Sequence, residues 1–362
     1  MSGPVPRPGI MDIVPYAGGE STVPGLPRPI KLASNECALG PSPRAVQAYN
    51  EAGGGLHRYP DGSSEALRQV LAAHHGLDPA RIVCGAGSDE LICNLCRAYA
   101  GPNDEVLYSR HGFLMFAIYV KSVGAAPVAA PEKALKADVE ALIDRVTPKT
   151  RILFLANPNN PTGSYLPTAA LKRLRAGLPE SVLLVIDAAY AEYVGGDDYS
   201  PGIDLVDGSD NVVMTRTFSK IYGLAGLRLG WAYCPLAIAE VLNRVRGPFN
   251  LSAPAQAAGA AALNDRAHIA RVRSHNDTWL PWTAGKVKDL DLAAPPSAGN
   301  FQLVQFPAQK GRDAEAADAF LKERGIITRR MAAYGLPEAL RVTIGDEEEM
   351  LAFVEALSEF MS

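Results

Sequence analysis

Residues 152–163 read ILFLANPNNPTG, and this stretch decides the fold class. Its apolar start, 152–156, is typical of a strand buried on both faces, and its Asn- and Pro-rich end predicts a loop at the carboxyl end of that strand. Similar short apolar runs recur along the chain, most of them separated by helical patterns, and they cover residues 81–84, 105–108, 127–130, 182–186, 212–215 and 231–234. This alternation predicts an α/β fold with a mainly parallel central sheet covered by helices.

The pattern divides the chain into three parts. Residues 1–30 hold seven of the 28 prolines and little periodicity, so we expect an extended N-terminal arm. Residues 31–270 form the predicted large domain, and we expect 31–60 to be shared in part with the small domain or a dimer interface. Residues 271–362 have fewer elements and predict a smaller α+β domain. Besides the strands above, we predict helices at 64–75, 88–99, 254–263 and 347–360 and strands at 300–306 and 341–344.

Composition and charge exclude several classes of protein. The 362 residues are 48% hydrophobic and 20% charged, which excludes intrinsic disorder. A net charge of −4 provides no basic footprint for nucleic acid and no polybasic patch for an anionic membrane. The N-terminus lacks the basic and apolar regions of a secretion signal, and no apolar run approaches the roughly 18 residues of a membrane helix. We therefore expect neither a leader nor a membrane span.

The five cysteines are Cys37, Cys84, Cys93, Cys96 and Cys234. An odd, sparse set in a chain of this length argues against a disulfide framework. Cys93 and Cys96 form a CxxC pair, but a structural zinc site needs a second pair, and the histidines are mostly scattered. We expect reduced thiols, no metal and a cytoplasmic protein.

Three polar features follow successive predicted strands. Ligands bind at this edge of an open α/β sheet, so the features are expected to lie together. They are the loop 157–163, Asp187 with Tyr190 three residues on, and Ser219-Lys220 with Arg228 eight residues after the lysine.

In this order and spacing, the three features resemble the signature of fold-type I aminotransferases, which use pyridoxal 5'-phosphate (PLP). The resemblance implies that Lys220 holds PLP as a Schiff base, because the cofactor needs an amine. It also implies that Asp187 keeps the ring nitrogen protonated, since a buried carboxylate raises the pKa of a nearby base. Asn157 and Tyr190 are then expected to hydrogen-bond the phenolic oxygen of the ring, and Lys220, Asp187 and Tyr190 are the expected catalytic residues.

The resemblance also assigns the phosphate of PLP. Ser219 and Arg228 match phosphate ligands, and a guanidinium suits a permanently bound anion. The turn GAGSDE at 85–90 follows a strand and opens a helix, where backbone N–H groups can approach an anion, so we expect Gly87, Ser88 and Asp89 there. The alternative for this turn is an ordinary glycine turn with Ser88 as the helix cap.

Phe113 matches the aromatic residue that stacks on the pyridine ring in this family. His111 could face the cofactor instead, because the alignment across Gly112 is uncertain by a residue or two. A simple core phenylalanine is the third possibility.

Four further stretches are similar to histidinol-phosphate aminotransferases, and the HGFL and TFSKIYG segments look closest to the alphaproteobacterial branch. Asn35-Glu36 followed by GPSP matches the family's N-terminal motif, RYP at 58–60 matches a second, and LRVTIG at 340–345 matches a third. The fourth is VPY at 14–16, whose Tyr16 matches a substrate-site tyrosine in the N-terminal arm. The resemblance implies substrate binding by Tyr16, Asn35, Arg341 and Arg330. It also implies that Tyr59 reaches the PLP phosphate of the partner subunit, hence a C2 homodimer. Residues 37–39 read CAL where many relatives have Asn-Pro-x, so Cys37 is a further candidate for the pocket.

The implied reaction is PLP-dependent transamination between L-histidinol phosphate and 2-oxoglutarate, giving imidazole-acetol phosphate and L-glutamate. Lys220 would move the proton as general base and acid, and Arg341 would bind a carboxylate or a phosphate. An aromatic amino acid aminotransferase is the main alternative, and a threonine-phosphate decarboxylase is a more distant one. A non-catalytic PLP-binding regulator would need an additional DNA-binding module.

Overall fold

Short strands and helices alternate along the chain in the computed structural model, which describes residues 3–25 and 28–362. The strands are β1 (Ile30–Lys31), β2 (Ile82–Gly85), β3 (Glu105–Ser109), β4 (Ala126–Ala130), β5 (Glu132–Lys133), β6 (Lys136–Ala137), β7 (Thr150–Ala156), β8 (Leu183–Asp187), β9 (Val212–Thr217), β10 (Gly230–Tyr233), β11 (Phe301–Gln305), β12 (Ile326–Ile327), β13 (Arg329–Arg330) and β14 (Ala339–Thr343). The α-helices are α1 (Pro43–Ala52), α2 (Glu65–His75), α3 (Ser88–Tyr99), α4 (Leu114–Ser122), α5 (Val139–Asp144), α6 (Thr168–Ala176), α7 (Ile203–Asp207), α8 (Leu236–Val245), α9 (Ala253–Asn264), α10 (Arg266–Asp289), α11 (Ala314–Glu323) and α12 (Glu347–Met361).

A seven-stranded sheet with the order β2-β10-β9-β8-β7-β3-β4 forms the central layer. The neighbours from β9 to β4 pair in parallel, and β10 runs antiparallel to both β2 and β9. The mainly parallel α/β sheet predicted from the apolar runs is therefore confirmed.

The alternating direction of the side chains explains why the strands of this sheet are apolar at every position. Leu153 and Leu155 of β7 point into one buried cluster, and Ile152 and Phe154 point into a second cluster on the other face. Successive side chains of a strand point to opposite faces, so a sheet covered on both sides needs apolar residues at every position.

Register brings the carboxyl ends of three strands together. Ala156 of β7 lies opposite Asp187 of β8, and Asp187 lies opposite Thr215 of β9. The loops that follow β7 and β9 therefore flank Asp187 at one edge of the sheet, which is the edge where α/β proteins bind ligands.

The C-terminal part has its own sheet and its own apolar cluster. Its three-stranded antiparallel sheet has the order β11-β14-β13, and β1 pairs in parallel with β12, which ties residues 30–31 to this part. Helix α12 begins with a capping box, in which Asp346 and Glu349 each accept a backbone N–H from the other. The side chains of α12 contribute to the cluster with Leu32 and Val304.

The predicted division of the chain remains a proposal. The boundary at 270/271 falls inside α10, so we propose that this helix connects the large and small domains. Of the predicted arm, Met1, Ser2, Leu26 and Pro27 lie outside the described residues. Within residues 3–25 and 28–362, no helix is long and apolar enough to cross a membrane.

Candidate active site

A cavity of about 460 Å³ lies where the ends of β7, β8 and β9 meet the C-terminal part. The sheet contributes Asp187 and Thr217, the segment after β9 contributes Lys220, and β14 contributes Arg341. Residues from every one of the three predicted polar features therefore reach one cavity.

Lys220 is the amine of this cavity. Its Nζ donates to the carbonyl oxygens of Ser34 and Asn35, each at 3.4 Å. Burial lowers the pKa of Lys220 to about 8, and the positive charge of Arg341 acts in the same direction. A larger share of the amine is thus neutral near physiological pH, and the neutral amine is the nucleophilic and proton-accepting form.

Asp187 ends β8 and is 6% exposed. Burial raises the pKa of its carboxyl to about 7, while the hydrogen bond that Thr215 Oγ1 donates to Oδ1 at 3.1 Å acts in the opposite direction. A buried carboxyl of this kind gains most from a cationic partner, which would restore its ionised form. The position therefore fits the protonated ring nitrogen of a pyridine.

Tyr190 lies three residues beyond Asp187 and faces the same cavity. Its hydroxyl accepts a hydrogen bond of 2.8 Å from Asn35 Nδ2. Burial raises the pKa of Tyr190 to about 12, so the group is a neutral phenol that can still donate its proton in a hydrogen bond.

Ser88, Asp89, Ser219 and Arg228 line the cavity and form a candidate anion cradle. Gly87 precedes α3 with φ +83°, and a Cβ there would stand 2.6 Å from Arg228 Nη2. Arg228 donates to Ser219 Oγ at 3.4 Å and pairs with Asp89 at 3.2 Å, while Asp89 Oδ1 is buried without a hydrogen-bond partner. A guanidinium, a hydroxyl and a helix N-terminus at one point fit a phosphate.

The cap of α3 decides between the two interpretations of Ser88. Gly87 occupies the N-cap position and Ser88 is the first helical residue, so the alternative in which Ser88 caps the helix is wrong. Ser88 and Asp89 both line the cavity. Their role toward phosphate stays a prediction.

Phe113 lines the cavity, as predicted for a stacking ring, and its own ring packs edge-on against Phe116 at 5.8 Å. The two other candidates near the site lie outside the lining. His111 Nδ1 is 2.7 Å from the carbonyl oxygen of Tyr334, and the Cys37 thiol donates to the carbonyl oxygen of Gly40 at 3.5 Å.

Asn157 lies outside the cavity lining, and its contact with the cofactor stays a prediction. Its Oδ1 accepts from Leu166 N at 2.7 Å, its Nδ2 donates to Leu166 O at 3.2 Å, and the residue is 1% exposed outside the lining. Through these two hydrogen bonds, the side-chain amide of Asn157 holds the two ends of the loop after β7 together. Asn160 lines the cavity instead and accepts from Arg341 Nη1 at 2.5 Å.

Three of the substrate candidates, Tyr16, Asn35 and Arg341, form part of the cavity lining. Arg341 Nη2 donates to Ala33 O at 2.7 Å, and its Nε is buried without a partner. Asn35 has φ +54° and is 1% exposed, and its N–H donates to Thr343 Oγ1 at 2.8 Å.

Arg330 is not brought to this cavity, contrary to its prediction. Its Nη1 forms an ion pair of 2.8 Å with Glu315 outside the lining. Arg329 lines the cavity in its place, and its guanidinium lies 5.8 Å from the ring centroid of Tyr16. Strand register is the reason, because Arg329 is paired with Arg341 across β13 and β14 and side chains of paired residues share a face.

Tyr59 lies outside the cavity of its own chain. It is 83% exposed, and its ring stacks on Phe249 with centroids 4.6 Å apart. This placement is compatible with the predicted role in the partner subunit, which stays a prediction.

The family model for class I and II aminotransferases matches residues 27–357. The chain belongs to this family. Two relatives narrow the assignment. The histidinol-phosphate aminotransferase of Paramagnetospirillum magneticum is 61% identical over 361 residues, covering 100% of this chain and 99% of the relative, and that of Rhodospirillum centenum is 58% identical with the same coverage. The narrower resemblance to histidinol-phosphate aminotransferases is confirmed.

Solved structures agree with this assignment. The histidinol-phosphate aminotransferase of Sinorhizobium meliloti, in complex with pyridoxal-5'-phosphate, superposes with a TM-score of 0.91 at 30% identity and covers 99% of this chain and 98% of its own. An aspartate aminotransferase of Thermus thermophilus has a TM-score of 0.81 at 22% identity over 92% of this chain and 91% of its own, which bears on the fold alone. The predicted fold-type I architecture is confirmed. The prediction that the protein is an enzyme of the aminotransferase type is confirmed as well.

Proposed function

We propose that this aminotransferase catalyses PLP-dependent transamination between L-histidinol phosphate and 2-oxoglutarate, giving imidazole-acetol phosphate and L-glutamate in histidine biosynthesis. The observation that carries the proposal is a buried lysine of lowered pKa that shares one cavity with Arg329 and Arg341, in a chain 61% identical to a named histidinol-phosphate aminotransferase. Each substrate carries an anionic end, and a guanidinium can bind either a phosphate or a carboxylate through two hydrogen bonds.

The residues of the site fit the cofactor. We assign Lys220 as the amine that carries PLP as a Schiff base, Asp187 as the partner of the ring nitrogen, and Ser219 and Arg228 as phosphate ligands. When bound, PLP supplies an electron sink for the bonds of the substrate's α-carbon. The raised pKa of Asp187 supports a cationic partner for its carboxyl, such as the protonated ring nitrogen of PLP.

Lys220 is the proposed proton carrier. Its pKa of about 8 lies near the working pH, which is where a general base and acid is most effective. The carbonyl oxygens of Ser34 and Asn35 orient Nζ toward the cavity without neutralising it. Such a positioned group contributes roughly 10²–10⁴-fold to a proton transfer.

Asn35 and Tyr190 form a second functional pair. Asn35 Nδ2 donates to the Tyr190 hydroxyl, which leaves the phenolic proton free to point elsewhere in the cavity. We infer that Tyr190 donates it to an oxygen atom of the cofactor ring, with Asn160 as a second candidate for that contact.

Arg329 and Arg341 are the proposed anion anchors. Arg341 is held by Asn160 Oδ1 and Ala33 O, so its fork is ordered before substrate arrives. Its Nε is buried without a partner.

We propose a C2 homodimer in which Tyr59 completes the site of the partner subunit. An exposed, stacked pair of aromatic rings is unusual on a surface that faces water, and Tyr59 and Phe249 form one. The cytoplasmic location remains a prediction, supported by five cysteines that are all free thiols.

The test is a set of half-reactions on the purified, PLP-loaded enzyme. The visible absorbance of the cofactor is followed after adding L-histidinol phosphate, L-glutamate, L-phenylalanine or L-threonine phosphate singly. We expect fast conversion with the first two and slow conversion with the others. Preference for phenylalanine would point to an aromatic aminotransferase, and a protein that acquires no chromophore with added PLP would contradict the cofactor assignment.

A further inference from the structure

Charged residues line the cavity unevenly. In the described part of the chain, the cations of the lining are Lys220, Arg228, Arg329 and Arg341, and the acids are Glu36, Asp89 and Asp187. Asp89 pairs with Arg228, and Asp187 is buried against Thr215. Glu36 has no role in the proposed reaction, yet it belongs to the lining of the same cavity.

The backbone at Glu36 is firmly held. Asn300 Nδ2 donates to the carbonyl oxygens of both Asn35 and Glu36, at 3.1 and 3.0 Å. Asn35 itself adopts φ +54°, a conformation that costs free energy and persists where the surroundings enforce it. The start of the Glu36 side chain therefore has a defined position at the cavity.

The carboxylate of Glu36 remains accessible. Its nearest charged partner is Lys31 Nζ at 3.4 Å, and the side chain is 47% exposed. Lys31 is on β1, which pairs with β12 two residues before Arg329, so Glu36 lies on the side of the small domain. Its negative charge also acts on Lys220, whose pKa it raises against the larger effect of burial.

The position of Glu36 suits neither a phosphate nor a carboxylate of the substrate, because the negative charge of Glu36 would repel either group. It suits a group that donates hydrogen bonds or carries positive charge. Of the groups in the proposed substrates apart from the reacting amine, the imidazole ring has such an N–H, and it becomes a cation when protonated.

We propose that Glu36 is the specificity-determining residue that accepts a hydrogen bond from the imidazole ring of the substrate. The proposal rests on the proposed function and adds the group that distinguishes an imidazole from a phenyl ring. L-Glutamate lacks the ring, so its half-reaction does not use the contact.

The test compares two substrates that differ only in the ring. Values of kcat/KM are measured for L-histidinol phosphate and for L-phenylalaninol phosphate with the wild-type enzyme and Glu36→Gln. Glutamine keeps the size of the side chain and removes the charge. We expect the preference for imidazole over phenyl to shrink by about tenfold or more, as for a lost hydrogen bond to a charged group.

Lys31→Gln is the matched control, because it removes the ion pair and leaves the carboxylate. It should retain the wild-type ring preference. Binding provides a readout without turnover: calorimetry on the holoenzyme with 3-(imidazol-4-yl)propyl phosphate and 3-phenylpropyl phosphate, which lack the amino group. Glu36→Gln should weaken binding of the first by a similar factor and leave the second unchanged.

The outcomes separate the two proposals. A wild-type enzyme that does not convert L-histidinol phosphate contradicts the proposed function. A wild-type enzyme that converts it, with a ring preference that Glu36→Gln leaves intact or that Lys31→Gln shrinks equally, overturns the role of Glu36 alone.

Discussion

Arg329 and Arg341 are paired residues on neighbouring antiparallel strands, and both guanidinium groups line the same cavity. Two cations held on one face of a small sheet support the proposed anion site, whose geometry the backbone sets. The neighbouring Arg330 points away to Glu315, because successive residues of a strand face opposite sides.

This pairing predicts different results for three arginines. Arg341→Met should raise KM for both L-glutamate and L-histidinol phosphate by about 10- to 100-fold, the effect of losing a charge-assisted hydrogen bond. Arg329→Met should raise both KM values in the same direction. Arg330→Met should stay within about twofold of wild type, since it loses only an exposed ion pair. Steady-state kinetics on the three variants checks this, and equal damage from Arg330→Met would refute the assignment by register.

The acidity of Lys220 leads to a prediction for cofactor uptake. Only the neutral amine attacks an aldehyde, so the rate at which cofactor-free enzyme binds PLP should rise with pH through a midpoint near 8. Arg341→Met should move that midpoint upward, because Arg341 is the cation that contributes most to the lowered pKa after burial. Stopped-flow absorbance between pH 6 and 10 measures both.

Lys220→Ala should show no such midpoint and should lose turnover, whereas Lys286→Ala, a change at an exposed helix position, should behave as wild type. Full turnover by Lys220→Ala would remove the central assignment.

Residues at strand ends could be predicted from sequence, and residues placed by register or by loop closure could not. Asp187 and Lys220 follow apolar runs whose burial on both faces forces them to the edge of the sheet. Choosing Arg329 over Arg330 needs the pairing of β13 with β14, which joins residues a dozen positions apart. β13 has only two residues, too few to show a pattern of its own, whereas β14 overlaps the strand predicted at 341–344.

Some of the helices could likewise be predicted from the sequence, and others could not. The amphipathic patterns at 64–75 and 88–99 predicted α2 and α3 to within one residue. The apolar residues of α4 are not confined to one face, so no stripe marked it as a helix. Helix α10 was missed as a unit because it spans the boundary where the composition changes.

Two asparagines of the loop after β7 should affect different properties when replaced: Asn157 the stability of the fold, and Asn160 the activity. Asn157→Ala breaks both hydrogen bonds to Leu166 and should lower the free energy of unfolding by about 1–3 kcal/mol. Asn160→Ala frees Arg341 and should lower kcat/KM at nearly unchanged stability. Urea unfolding and kinetics on both variants test the distinction, and a loss of kcat/KM in Asn157→Ala at unchanged stability would place Asn157 in the site.

Asp187 predicts a pH effect on the cofactor-free protein. Its folded pKa of about 7 lies above the usual 3.8, so between these values the folded state binds a proton that the unfolded state has lost. Stability attributable to this carboxyl is therefore full below about pH 4 and falls as pH rises toward 7. Asp187→Asn removes the effect, and its stability relative to wild type should rise over that range by roughly 4 kcal/mol.

Urea midpoints of both cofactor-free proteins at pH 5 and pH 7.5 provide the comparison. The urea midpoint of the wild type minus that of Asp187→Asn should be smaller at pH 7.5 than at pH 5. A difference that does not change with pH would show that the carboxyl is not held in its neutral form.

The proposed shared site predicts complementation between two inactive chains. Lys220→Ala and Tyr59→Ala should each have low activity as separate homodimers. After unfolding and refolding together at equal amounts, half of the dimers are mixed, and each mixed dimer has one site with Lys220 from one chain and Tyr59 from the other. About a quarter of wild-type activity should therefore return, because half of the sites in half of the dimers are intact. Phe249→Ala, which removes the ring stacked on Tyr59, should weaken PLP retention in the same way as Tyr59→Ala. Activity no higher than the sum of the two separate variants, or an active monomer in light scattering, would show that each chain builds its site alone.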